Sequence, residues 1–137
     1  MKLYTYWRSS AAYRVRIALN LKGLAYESVP VDLAPAAAEQ LAAPFAAVTP
    51  EQRVPVLEHD GVRLTQSLAI MEYLEESHPA PPLLPADPVS RARARALAQL
   101  VACDIHPLNN LSVLVYLRRE LGADDTAVNA WYRHWVV

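Results

Sequence analysis

Hydrophobic patterning divides the chain into a short sheet-forming half and a long helical half. Leu3-Tyr4-Thr5-Tyr6-Trp7 is rich in β-forming residues and predicts a strand that runs straight into the polar Arg8-Ser9-Ser10. Apolar positions then recur at helical spacing through Val15, Ala18 and Leu19, so a helix begins with Ser9 and Ser10 available as caps. It ends at Lys22-Gly23, where glycine can turn left-handed and the lysine charge suits the negative end of the helix dipole. Such a strand-to-helix junction gathers unpaired N–H groups, two hydroxyls and the Arg8 guanidinium, a setting that suits an anion. Taken alone, the two serines are read as caps.

Beyond Gly23, Ala25 to Val31 predicts a second strand, with Pro30 marking its end or an edge. Pro35 to Phe45 is alanine-rich and reads as a helix limited by Pro35 and Pro44. A loop over Thr49–Arg53 precedes a short strand over Val54–His59, and Asp60-Gly61 signals a hairpin returning through Val62–Thr65. Gln66 and Ser67 then precede a periodic helix, Leu68 to Ser77, stopped by Pro79. A βαβ unit joined through a helix to a ββα unit makes a small mixed sheet covered by helices, an α/β thioredoxin-like domain over residues 1–79.

Residues 80–88 read as a stiff linker, since the stretch from Pro79 to Pro88 contains five prolines. Asp87 with Pro88 is a helix start, and a long helical pattern follows toward Leu121, kinked by Pro107 and ended by Gly122. Asp124 or Asp125 opens a last helix carrying Val128, Trp131, Tyr132 and Trp135. Residues 89–137 therefore read as the start of an all-helical second domain. Helices with such apolar faces need a further segment or another chain to cover them.

Composition narrows the function classes. A 53% hydrophobic fraction with 20% charged residues permits a real core, and a formal net charge of −1 argues against nucleic acid or an anionic membrane surface as the main partner. No leader pattern and no apolar run long enough to span a bilayer is read from the sequence, which places the expected site of action in the cytoplasm. Cys103 is the single cysteine, so a paired-cysteine oxidoreductase is excluded and any thiol chemistry would use a borrowed thiol. His59, His78, His106 and His134 lack metal-ligand spacing, and no metal site is expected.

A thioredoxin-like sheet would bring three polar turns to one edge: the loop after the first strand, the Val54-Pro55 junction and Gln66-Ser67. An X-Pro bond at a strand entry can free the preceding backbone to pair with an extended peptide, and a helix start at Ser67 offers N–H groups and a hydroxyl to a carboxylate. Glutathione is an extended peptide with a thiol at one point and a carboxylate further along.

The ordered motifs S-S-x-x-x-R-V-R-I-A-L, V-P-V-L, Q-S-L-A-I-M-E-Y-L-E-E, L-L-P-A-D-P and D-I-H-P-L-N-N-L-S resemble those of the zeta-class glutathione transferases, a family that includes maleylacetoacetate and maleylpyruvate isomerases. The resemblance implies glutathione as cofactor, with Ser9 and Ser10 at its thiolate, Val54 with Pro55 at its cysteinyl backbone, and Gln66 with Ser67 at its γ-glutamyl carboxylate. Gln40, His106, Asn110 and Ser112 correspond to positions that line the same cleft in relatives. It also implies a homodimer, contacted through the third and fourth helices. Two positions depart from the family: Ala11 and Ala12 stand where Cys and Ser are usual. Relatives also carry several further helices.

The implied chemistry is a glutathione-dependent cis–trans isomerisation of a small dicarboxylate in aromatic amino-acid or aromatic-acid catabolism. A free thiol has a pKa of about 8.5, and hydroxyl hydrogen bonds at about 1.5–3 kcal/mol plus a helix terminus at about 0.3–1 kcal/mol could lower it by roughly one to two units. Arg8 is the candidate partner of a substrate carboxylate. Arg14 and Arg16 read as structural or solvated. The alternatives are a zeta-type transferase or dehalogenase of small α-haloacids, and a non-catalytic glutathione-transferase-like module that binds partners and keeps only the fold, which Ala11-Ala12 would favour.

Overall fold

The structure, a computed structural model, describes residues 1–135. It divides into two compact units, Met1–Pro85 and a second beginning at Ala86, so the division falls within the proline-rich stretch.

In the first unit, β1 (Lys2–Thr5) leads into α1 (Ser10–Leu21), then β2 (Glu27–Pro30), a 3₁₀ turn over Glu39–Leu41, α2 (Ala43–Ala46), β3 (Val56–His59), β4 (Val62–Leu64) and α3 (Ser67–Ser77). The sheet order is β2-β1-β3-β4, with β1 parallel to β2 and antiparallel to β3, and β3 antiparallel to β4. Pro30 ends an edge strand, where its missing N–H costs no ladder bond.

Side-chain alternation along the strands builds a core on each face. Leu3 and Leu57, register partners, join Val15, Ala18 and Leu19 of α1 and Ile70 and Leu74 of α3 in one cluster. Tyr4 and Val56, one step along, serve the second cluster with Val31, Phe45, Val54 and Ala12. Burying a side chain such as Leu57 or Ile70 stabilises by about 1.5–3 kcal/mol each, which makes α1 and α3 fixed supports for whatever their ends carry.

The alanine-rich stretch is not the single helix its composition predicts. Ala38 takes φ 45°, Asp32 Oδ1 accepts the Ala34 N–H, and Glu39 Oε2 accepts the Asp32 N–H, so local side-chain bonds and two prolines divide it into a turn, the 3₁₀ segment and the four-residue α2. Asp60 (φ 50°) and Gly61 (φ 78°) form the expected tight hairpin.

The first unit extends past α3 because of one ion pair. Lys22, at the end of α1, has a fully buried side chain and reaches Glu75 Oε2 at 2.7 Å, while its ammonium also donates to the carbonyls of His78 (2.8 Å) and Pro81 (3.0 Å). Glu75 in turn accepts the N–H groups of Leu83 and Leu84, each at 3.1 Å. Burial alone pushes the Glu75 carboxyl up, but the Lys22 hydrogen bond, the two backbone donors and the ammonium charge together hold it below its ordinary value. Segment 81–84 is thereby clasped to α1 and α3.

The second unit opens with Asp87 accepting the Ser90 N–H at 2.8 Å and Pro88 in the first turn of α4 (Pro88–Gln99). Pro107 does more than kink the pattern. A π-helical stretch over Leu100–Ile105 passes into a 3₁₀ turn over His106–Asn109, and Asn110 is fully extended before α5 (Leu111–Arg119) begins. α6 (Asp125–Trp135) follows Gly122, with Asp124 capping Ala127. Contrary to the sequence reading, the helical run Pro88–Arg119 contains an 18-residue window of mean hydropathy 1.3, apolar and long enough by that measure to cross a bilayer. The extended Asn110 nevertheless interrupts its backbone hydrogen bonding, which a lipid-exposed span could not tolerate.

Candidate functional site

The register places three of the candidate junctions at one end of the first-unit sheet. β1 ends at Thr5 and runs into Ser9; Val54 and Pro55 precede Val56, which pairs with Tyr4; and Leu64, paired with Leu57, leads into Gln66 and Ser67. Val54 thus precedes the strand that lies between the two leading into α1 and α3. The Val54–Pro55 peptide bond is cis.

Ser9 is the N-cap of α1: its Oγ accepts the Ala12 N–H at 3.2 Å, and its own N–H is bonded to the Tyr6 carbonyl at 3.0 Å. That cap uses an acceptor site of the hydroxyl and leaves its O–H able to donate, so capping and anion binding are compatible roles. Ser10 is the exposed first residue of the helix. Arg8 is exposed, its guanidinium 5.6 Å from the centre of the Trp7 ring.

Ser67 is buried at the start of α3, and its Oγ accepts from Arg14 Nη1 at 3.1 Å across 53 residues of sequence. This bond joins the second turn of α1 to the first of α3. It also sets a guanidinium behind a hydroxyl whose O–H remains to donate. Gln66 takes φ 65°, a conformation costing a non-glycine residue on the order of 1–3 kcal/mol, and its Nε2 donates to Glu51 Oε2 at 3.1 Å. Glu51 Oε1 accepts from Thr65 Oγ1 at 2.9 Å. Arg16 braces the loop after β1 from the other side, donating to Thr5 Oγ1, Tyr6 O and Trp7 O at 3.0–3.2 Å. Its structural reading is thus matched by these three bonds, whereas Arg14 works beneath a candidate ligand group.

A hollow of about 450 Å³ opens beside the ends of β1 and β2, with Tyr6, Trp7, Arg16, Asp32 and Glu39 in its wall. None of the candidate site residues lines it. Its two carboxylates make it a poor fit for a dianionic substrate.

Residues 1–76 match the family model for the glutathione S-transferase N-terminal domain. The maleylacetoacetate isomerase of Pseudomonas aeruginosa is 55% identical over 137 residues, an alignment covering 99% of this chain and 64% of that protein. The holo structure of maleylpyruvate isomerase, a bacterial zeta-class glutathione S-transferase, matches with a TM-score of 0.94 at 52% identity, over 99% of this chain and 63% of that one. The chain belongs to the zeta-class glutathione transferases. The maleylacetoacetate isomerase of Methylobacterium extorquens, solved with bound malonate and glutathione, matches with a TM-score of 0.91 at 50% identity, over 98% of this chain and 62% of that one. This zeta-class chain therefore spans less than two thirds of the length of the relatives it matches. The matches agree with the expected architecture, a thioredoxin-like domain followed by helices.

The remaining candidates lie apart from the three junctions in sequence and role. Gln40 is in the 3₁₀ turn before α2, and its Oε1 is buried without a hydrogen-bond partner among the described residues. His106, Asn110 and Ser112 belong to the second unit. There Asn110 Oδ1 caps α5, accepting from Ser112 N at 3.2 Å and Ser112 Oγ at 3.4 Å, which gives both residues a structural task. Ala12, the zeta-class position usually occupied by serine, is fully buried in the second core cluster. Sequence reasoning missed Glu51 altogether; the hairpin that brings Thr65 and Gln66 to it leaves no signal at position 51 itself.

Proposed function

We propose that this chain is the glutathione-binding part of a glutathione-dependent cis–trans isomerase acting on maleylacetoacetate or maleylpyruvate. The observation that carries the reading is the Arg14–Ser67 bond, which ties together two helices whose hydroxyl-bearing starts, at Ser9 and Ser67, follow β1 and β4, the strands on either side of the one that Val54 and Pro55 precede. Relatives bearing both isomerase names lie at 52–55% identity.

The donor set fits the tripeptide. Ser67, with its O–H and the first N–H groups of α3, would take the γ-glutamyl carboxylate beside Gln66; Val54, outside the β3 register, would take the cysteinyl backbone with Pro55 behind it; Ser9 and Ser10 would face the sulfur. Gln40 Oε1, buried without a partner, is an acceptor that a bound N–H donor would satisfy. His106, Asn110 and Ser112 are carried over from the family resemblance alone as further glutathione contacts. When bound, glutathione supplies a thiolate that adds reversibly to the substrate double bond and so permits rotation about it. Ser9 and Ser10 donate hydrogen bonds that favour the ionised sulfur, and the positive end of α1 adds to their effect. Arg8 pairs with a substrate carboxylate and offers positive charge where electrons accumulate on it.

The binding-only alternative drew on Ala11-Ala12. Burial of Ala12 in the core weakens it, because a hydroxyl at that position would not line the cleft. The exposed Val89, Leu97, Leu100 and Val101 of the α4 region support a homodimer in which a second copy covers them. A cytoplasmic site of action follows from the proposed metabolic role.

Glutathione-dependent conversion of maleylacetoacetate or maleylpyruvate to the fumaryl isomer, followed by absorbance with the full-length protein, tests the reading. Turnover that falls on Ser9→Ala and on Arg8→Ala is expected; no turnover of either substrate would reject it.

A further inference from the structure

The Glu51 carboxylate has no task in the reading above. It stands on the loop ahead of Val54 and is exposed, and its two oxygens each accept one bond, from Thr65 Oγ1 at 2.9 Å and from Gln66 Nε2 at 3.1 Å. Each carboxylate oxygen can accept two hydrogen bonds, so half of its capacity is unspent. No lysine, arginine or histidine pairs with it among the described residues.

The neighbouring residue carries the opposite charge behind it. Gln66 is tied to the Glu51 carboxylate, and Ser67 is tied to the Arg14 guanidinium. Two consecutive residues at a helix start are therefore backed by a negative and a positive group. An α-amino acid head is the complementary object, since its ammonium and carboxylate sit on one carbon. The γ-glutamyl end of glutathione is such a head.

We propose that Glu51 receives the α-ammonium of the γ-glutamyl residue while Ser67 receives its α-carboxylate, so that the site reads this end of the peptide as a zwitterion. The inference rests on the glutathione reading and deepens it. Glu51 then has two functions in one position. Its bonds to Thr65 and Gln66 hold the turn before α3, and its remaining lone pairs recognise the ammonium. Arg14, acting through Ser67, is a positioning residue for the carboxylate half.

Calorimetric titration of the full-length protein with glutathione and with its des-amino analogue, glutaryl-cysteinyl-glycine, tests the proposal, alongside the same pair on Glu51→Gln. The wild-type protein is expected to prefer glutathione by roughly five- to tenfold, the range for a charge-assisted contact at a partly exposed site. Glu51→Gln keeps a group able to bond Thr65 and Gln66, and is expected to bind both ligands about equally. Retention of the full preference by Glu51→Gln overturns the proposal, as does an equal weakening toward both ligands, which would leave Glu51 a brace only. Failure of the wild-type protein to bind either ligand is a different result: it removes the glutathione reading itself, and this proposal with it.

Discussion

The two units are built on unequal foundations. All but one of the buried apolar side chains among the described residues lie in the first unit, and the exception is Val128. The first unit has a sheet against which α1 and α3 can press a continuous stripe. In the second, α4 has no buried residue, and Leu97, Leu100, Val101, Leu111 and Tyr116 face outward. Helices without a sheet or a full bundle partner have nowhere to hide such a face. The difference teaches where precision is available. Ser9 and Ser67 open helices packed on the sheet and Val54 leads into its β3 strand, whereas His106 and Asn110 lie in a stretch that passes from π-helix through a 3₁₀ turn to extended backbone within eleven residues, from Leu100 to Asn110, and Ser112 is in the first turn of the helix after it.

The largest effect is expected of Lys22→Ala. It leaves the Glu75 carboxylate buried without its cation and is expected to remove about 3–5 kcal/mol from the unfolding free energy measured in urea; a loss below about 1 kcal/mol would show that the clasp carries little. Next comes a matched pair, one leucine from each unit. Leu74→Ala, in the closed core, should cost about 2–5 kcal/mol, and Leu114→Ala, half-exposed in α5, about 1 kcal/mol or less, so equal costs would erase the contrast.

Ser67→Ala separates binding from folding. Removing the hydroxyl proposed to meet the γ-glutamyl carboxylate should weaken glutathione binding by about tenfold or more in calorimetry, with a smaller effect on the melting temperature. The smallest expected effect is in pH. Glu75 is held below its ordinary 4.5, so the stability it contributes is fully present above that value and is lost as pH falls through the folded-state value. Acid titration of stability should therefore be steeper for the wild-type protein than for Glu75→Gln, and superimposable curves would deny the carboxylate that role.

Much of this arrangement is written locally. Val15, Ala18 and Leu19 announce α1, Asp60-Gly61 fixes the hairpin, and Asp87-Pro88 opens α4, because in each case the cause lies within a few residues of the effect. Where prediction failed, a local propensity met a competing bond. Alanines at 36–38 favour a helix, but the Asp32 and Glu39 side chains bond the backbone and Ala38 turns left-handed. Pro107 signals a disturbance without saying that a π stretch would precede it and an extended Asn110 follow. Of the candidate site, the hydroxyls at 9 and 67 are legible as helix starts. Their coupling through Arg14, and the attachment of Glu51 to Thr65 and Gln66, depend on hairpin closure and strand order, which no single stretch of sequence contains.

The clasp made by Lys22 has a practical corollary for recombining relatives. Positions 22, 75, 78 and 81–84 are one inherited block, although more than fifty residues separate the first from the rest. A chimera joined at Pro79 would transplant the proline-rich segment away from the ammonium and carboxylate that tether it, whereas a crossover at Ala86 would carry the whole block intact.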